Sequence, residues 1–373
     1  MKIPFNKPLV LGTEILYLNS VIKRKKFSSR GEFIKKGSDL LEKYIGCNKV
    51  LLTSSCTGAL EIALSSLGLK PEDEVIIPAF EHCSIANALA SAGVEIVWCD
   101  IREDTKNIDE SLIEGLITKK TKVIIPVHYA GIPCEIEKIS DICKKNNLFL
   151  IEDAAQSIGS RFNEKPAGSF GDMAITSFHE TKNVHCGEGG ALIINNPKLV
   201  TKAEKVFQKG TNRKDFDRGL TENWTWQILG KHFMMSELQA AFLYPQLLEL
   251  EKINSNRLQS WHYYYQLLAE FFPKKKLPFV PQNVSYNAHL FYLVLENSQQ
   301  RKEMIDFLNS KGIQAVFHYQ PLHRAPFWKG KYKNVQLPVT EKIAETILRL
   351  PMFYKLKKEE IEFVVKNIKI SLQ

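Results

Sequence analysis

Between Thr176 and Gly190 the chain holds one lysine, Lys182, in a short polar loop flanked by two apolar, strand-like runs. Ser177 and His179 precede it; Gly187, Glu188, Gly189 and Gly190 follow. A solvated surface ammonium needs none of these neighbours. A lysine that attacks a carbonyl needs a close-fitting cavity whose walls let a planar cofactor approach. Lys182 is therefore the candidate nucleophile.

A second constellation follows a buried-strand pattern, Leu148 to Ile151, which ends in Glu152, Asp153 and, three residues on, Gln156. In open α/β sheets ligands sit beyond the carboxyl ends of strands. A carboxylate there could hold a pyridine nitrogen protonated, the condition that makes pyridoxal 5'-phosphate (PLP) an electron sink. An aspartate after a strand also commonly caps the next helix. A third constellation is the strand-like Val50 to Leu52 followed by Thr53, Ser54, Ser55, Cys56, Thr57 and Gly58. Free N–H groups at a helix start bind phosphate. The segment is neither a P-loop nor a dinucleotide fingerprint, and an ordinary capped strand-to-helix turn has the same composition.

Taken in order, Ser55 to Thr57, Glu152 to Gln156, Ser177 to His179, Lys182-Asn183 and Gly187 to Gly190 resemble the DegT/DnrJ/EryC1/StrS sugar aminotransferases. The resemblance extends through Ile3 to Pro8, Pro126 to Gly131, Lys209 to Arg213, Ser236 to Ala241 and Val316 to His323, and so spans the chain. It implies that Lys182 bonds the cofactor as a Schiff base, that Asp153 pairs with the pyridine nitrogen and that Gln156 bonds the phenolic oxygen. Ser177 and the N–H groups of Cys56 and Thr57 would hold the phosphate. His318, Tyr319 and His323 match a family motif near the sugar pocket, and structural hydrogen bonding suits them equally.

Three positions depart from the family pattern. His82 falls where relatives place an aromatic ring stacked on the cofactor; an imidazole can stack, but it titrates near neutral pH. Met234 stands where many relatives carry an asparagine that reaches the partner subunit. His185 stands where many carry a threonine, which alters the sugar or phosphate pocket.

The 373 residues, 44% of them hydrophobic, suffice for a large domain plus a smaller one. The net charge of +9 is spread along the chain, with dense clusters only at Lys23 to Lys26 and Lys274 to Lys276. That pattern suits solvated surface better than a nucleic-acid patch. Seven cysteines, an odd number with no Cys-x-x-Cys pair, argue against a disulfide framework and against a zinc site. The expected compartment is the cytosol, with no metal. No run reaches the ~18 apolar residues of a membrane span.

Strands alternating with helical patterns from about residue 50 to 210 predict an α/β fold with a mostly parallel sheet. The strands are read at 74–78, 95–99, 122–127, 148–151, 174–176 and 191–194. Residues 235–268 read as a long helix interrupted at Pro245. A strand near 290–295 and helices near 300–310, 340–348 and 358–370 follow. The expected division is 1–245 for the large cofactor domain and 246–373 for the linking helix and a small α+β domain, the arrangement of fold-type I PLP enzymes. Cys186 reads as a small residue packed behind the lysine rather than a nucleophile. Trp224, Trp226 and the Trp261 to Tyr265 stripe read as packing; His128 and Tyr129 as core or rim.

The resemblance implies a homodimeric aminotransferase that moves an amino group from L-glutamate to a nucleotide-linked keto-deoxy-sugar, with dTDP-4-keto-6-deoxyglucose the expected acceptor. The alternatives are a 3-keto-sugar aminotransferase and a PLP-binding regulator without turnover. Sugar dehydratases of this kind replace the lysine by histidine, so Lys182 favours transamination.

Overall fold

The computed structural model describes residues 1–372. Its strands are β1 (Lys49–Thr53), β2 (Glu74–Pro78), β3 (Glu95–Cys99), β4 (Thr121–Ile124), β5 (Phe149–Asp153), β6 (Arg161–Phe162), β7 (Lys165–Pro166), β8 (Met173–Ser177), β9 (Gly190–Ile194), β10 (Val284–Ser285), β11 (Phe291–Val294) and β12 (Ile347–Leu350). Seven of them form one sheet in the order β1-β9-β8-β5-β4-β2-β3. Only β9 in that sheet runs against its neighbours, pairing antiparallel with both β1 and β8.

The strands are continuous apolar runs because both faces of the sheet are covered. Successive side chains alternate between two cores. Leu51, Val75, Ile77, Val123, Ile151, Ile175 and Leu192 face the helices Cys56–Leu67, Cys83–Ala92 and Pro197–Phe207. Val50, Leu52, Ala174 and Ile193 face the helices Glu32–Ile45 and Glu237–Leu248, while Ile76, Ile124 and Leu150 face the helix Ile136–Asn146. A one-residue slip in any strand would exchange these sets, so register is fixed by burial on both sides.

The C-terminal part pairs β11 with β12 antiparallel and packs helices Ser298–Ser310 and Lys358–Ser371 beside them. Its core takes Trp261, Tyr264 and Leu268 from the long helix Leu250–Leu268, and also Ile3 from the N-terminus, which bridges Ile313. A three-stranded patch, β10-β6-β7, ties the C-terminal part to the large sheet domain.

Four expectations are corrected. The helix expected to break at Pro245 runs through it to Leu248 and breaks at Glu249. A proline forfeits its own N–H, but its fixed φ is helical and later residues can continue the turn. The helix expected over 340–348 is Pro338–Thr346, and Ile347 already belongs to β12. The strand expected over 122–127 is the shorter β4. Trp224 and Trp226 do not pack in a core: they are 50% and 75% exposed.

Candidate active site

β1 ends at Thr53, and Ser55 caps the following helix by accepting the Gly58 N–H at 3.0 Å. The N–H groups of Cys56 and Thr57, in the first helical turn, have no intrahelical acceptor. In the sheet register Gly190 lies between Thr53 on β1 and Ser177 on β8. A Cβ at Gly190 would meet Cys56 N at 2.5 Å and the Ser55 carbonyl carbon at 2.6 Å. The missing side chain thus lets the helix start close over β9, with the Ser177 hydroxyl one strand away. Free N–H groups, a helix dipole and a hydroxyl make an anion cradle.

Asp153 is the last residue of β5, in the middle of the sheet, and its side chain accepts the Ala155 N–H at 2.8 Å. Burial raises its pKa above the ordinary carboxylate value. A buried carboxyl in that condition calls for a cationic partner. Lys182 lies in the β8–β9 loop, where its N–H closes a turn on the His179 carbonyl at 2.9 Å. Burial lowers the pKa of its ammonium, opposed by the nearby Cys56, Asp153 and Glu81. Gln156 accepts the Ala130 N–H at 2.9 Å and donates to the Tyr319 hydroxyl at 3.4 Å.

These groups line one cavity of about 610 Å³, together with Ser55, Cys56, Thr57 and Ser177. His82, His318 and Tyr319 also line it. His82 caps the helix Cys83–Ala92, its Nδ1 accepting the Ser84 N–H, and its ring meets Tyr319 edge-on at 6.2 Å. Burial first, then Lys182 and His179, lower its pKa. Val316 exchanges backbone hydrogen bonds with Arg349 on β12, and this brings His318 and Tyr319 to the cavity, stacked at 3.9 Å.

Two candidates do not reach the cavity. His185 is buried elsewhere, its Nε2 bonded to the Leu9 carbonyl at 2.8 Å. His323 packs by Trp98 with Nε2 at 3.0 Å from Glu341. Both are hydrogen-bonded core histidines. Cys186 is also outside the lining, and burial pushes its thiol up to about 12. His128 is core, fully buried and 3.0 Å from Glu152.

The sequence reading did not single out Glu81 and Arg349, which both line the cavity. Glu81 is 5% exposed; burial and Asp153 push its carboxyl up to about 8. Its position just past β2 is the available signal, since strand carboxyl ends carry the site. Arg349 sits in a segment that adjoins an expected helix, and no sequence signal marks it.

The donor set suits PLP: an anion cradle for its phosphate, a buried carboxyl for its ring nitrogen, and a lysine of lowered pKa for its carbonyl. A family profile described as the DegT/DnrJ/EryC1/StrS aminotransferase family matches residues 11–369. A "Pleiotropic regulatory protein" of Geobacillus stearothermophilus is 34% identical over 361 residues, covering 96% of this chain and 94% of that protein. The PLP form of Spr1654 from Streptococcus pneumoniae superposes with a TM-score of 0.90 at 25% identity, covering 100% of this chain and 98% of that one. Helicobacter pylori PseC, an aminotransferase involved in the biosynthesis of pseudoaminic acid, shares the fold with a TM-score of 0.92 at 23% identity, covering 100% and 99%.

Proposed function

This chain belongs to the DegT/DnrJ/EryC1/StrS aminotransferase family of PLP-dependent enzymes, and on that footing we propose that it aminates a nucleotide-linked keto-deoxy-sugar with L-glutamate as donor. The observation that carries the reading is one cavity lined by Lys182, Asp153 and the helix start at Cys56 and Thr57. Bound PLP supplies the electron sink that lets an amino group pass from an amino acid to a ketone.

Each residue has a task in that reading. Lys182 is the covalent attachment point; released, its Nζ takes a proton from the donor carbon and returns one on the acceptor side, a general-base and general-acid role helped by the lowered pKa. The Asp153 carboxylate holds the proton on the ring nitrogen. The Gln156 Nε2 has a second hydrogen for the phenolic oxygen. Ser177 with the Cys56 and Thr57 N–H groups fixes the phosphate, His82 stacks on the cofactor ring, and Tyr319 forms part of the wall that confines the substrate ring.

The acceptor we favour is dTDP-4-keto-6-deoxyglucose, on the resemblance of the segments at Pro126 to Gly131 and Val316 to His323; a 3-keto-sugar is the competing acceptor. The amino sugar would serve surface polysaccharide or glycan synthesis. A cytosolic homodimer is the expected state. The free thiols of all seven cysteines fit a reducing compartment. Leu220, Trp226 and Leu229, at 70%, 75% and 82% exposure, supply apolar surface for a subunit contact. A purely regulatory role has in its favour only the regulatory name of the Geobacillus relative, and retention of Lys182 speaks for turnover.

The test uses the purified holoenzyme. L-glutamate should bleach or shift its visible absorbance, and one of a panel of dTDP-, UDP- and GDP-linked keto-sugars should restore it. A protein whose spectrum ignores every amino acid donor refutes the proposal.

A further inference from the structure

Glu81 lies just past the end of β2, 5% exposed, and bounds the cavity that Lys182 and Asp153 share. Its Oε1 accepts the His82 N–H at 2.7 Å, a contact within its own stretch of chain. Its Oε2 is buried without a hydrogen-bond partner, and among the described residues no basic side chain forms an ion pair with the carboxyl. The charged and titratable groups around it are Asp153 at the end of β5, Lys182 in the β8–β9 loop, Cys56 at the helix start, and the phenols Tyr129 and Tyr319. Burial and the Asp153 charge keep its proton on at neutral pH. Because Oε1 is an acceptor, that proton belongs on Oε2, which then offers one O–H donor and one acceptor lone pair at the same place. A buried polar group of this kind is costly to leave unmatched and calls for a partner.

We propose that Glu81 reads a ring hydroxyl of the acceptor sugar, its Oε2 exchanging hydrogen bonds with that hydroxyl, and so helps determine which keto-sugar the site accepts. The inference rests on the transamination reading above. In that reading the polar groups of PLP already have partners: the helix start for the phosphate, Asp153 for the ring nitrogen, Gln156 for the phenolic oxygen and Lys182 for the carbonyl. The carboxylates of an amino donor only accept, and cations suit them best. A sugar hydroxyl donates and accepts at one oxygen, and a neutral carboxyl answers both. An ionised carboxylate in the same place would lose its donor and repel a substrate that carries a diphosphate. A site built to bond a hydroxyl discriminates against the analogue that lacks it, because the buried group is then left unpaired.

The experiment follows the keto-sugar half-reaction of the pre-aminated holoenzyme by stopped-flow absorbance, using the keto-sugar nucleotide that restores the spectrum and its monodeoxy analogues, each lacking one ring hydroxyl. In wild type near pH 7 one analogue should show an apparent Kd about 30-fold above that of the parent sugar. In Glu81→Leu the parent itself should bind about 30-fold more weakly and that analogue no worse than the parent, the non-additivity that marks a direct contact. Glu81→Gln, whose amide has a donor and an acceptor as the neutral acid does, should stay within about threefold of wild type near pH 7. Wild-type affinity for the sugar should fall as pH rises through about 8, where the carboxyl ionises, and Glu81→Gln should lack that limb. This second variant keeps the inference testable should Glu81→Leu fail to fold. The glutamate half-reaction and the PLP Kd of stripped protein should change by less than about threefold in both variants. A series in which no analogue is penalised, a penalty that persists in Glu81→Leu, or superimposable pH profiles of wild type and Glu81→Gln overturns the inference. So does a Glu81→Leu defect confined to PLP binding or to urea stability, which would give Glu81 another task and leave transamination intact. A wild type that ignores glutamate overturns both.

Discussion

Gly190→Ala should empty the cofactor site without unfolding the protein. The new Cβ would lie 2.5 Å from Cys56 N, 2.6 Å from the Ser55 carbonyl carbon and 2.7 Å from the Cys56 Cα, all backbone. Rotating a side chain away cannot relieve the clash. The helix start must retreat by about 0.9 Å to reach the ordinary contact distance of 3.4 Å. A hydrogen bond of ~2.9 Å stretched by that amount is lost. Two charge-assisted donors, Cys56 and Thr57 N–H, are worth ~1.5–3 kcal/mol each, so their loss amounts to ~3–6 kcal/mol. Relaxation of the helix recovers part of this, which leaves a PLP Kd at least ~100-fold weaker. Overpacking should lower global stability by ~1–3 kcal/mol. The assay is a fluorescence titration of cofactor-stripped protein with PLP, with urea unfolding in parallel. Gly115→Ala is the control: nothing lies within 4 Å of its Cβ, and its helical site should gain slightly in stability. A Gly190→Ala protein that binds PLP within threefold of wild type refutes the cradle.

Asp153→Asn should keep the fold and lower kcat/KM by tenfold to a few hundredfold, because an amide cannot stabilise a protonated ring nitrogen and such a contact is worth ~2–3 kcal/mol; unchanged kinetics in a cofactor-loaded variant rejects the role. Burial lowers the His82 pKa, so the folded site keeps the ring neutral at the ordinary His value of 6.5 and should lose cofactor affinity only as pH falls further, through that lowered value. His82→Phe should remove that acid limb in PLP dissociation measured against pH, and superimposable curves would show the ring's charge to be irrelevant. Glu81, raised from 4.5 to about 8, holds a proton in the folded state that the unfolded chain releases, so stability falls as pH rises across that window. Glu81→Gln should make the cofactor-free protein more stable than wild type by ~2–4 kcal/mol near pH 9 and alter little near pH 4, read from urea midpoints; parallel pH profiles would contradict the buried charge.

The sequence by itself determined the elements that are local. Apolar runs of strand length, each closed by polar residues, marked β1, β5 and β8, and the residues just past them are Ser55 to Thr57, Asp153 and the Lys182 loop. A short range of chain carries both the strand and the group it delivers, so these were legible. Which strand ends meet was decided only by the tertiary structure, because sheet order depends on packing between helices far apart in sequence. The order β5-β4-β2 carries Glu81 to the cavity that Asp153 lines, although 72 residues separate them. The pairing of Val316 with β12 brings Arg349, His318 and Tyr319 to the same cavity as Lys182. The same long-range packing turned His185 toward the Leu9 carbonyl and His323 toward Glu341, away from the site their motifs suggested. A motif fixes a residue's place along the chain, but the direction of its side chain follows from what buries it.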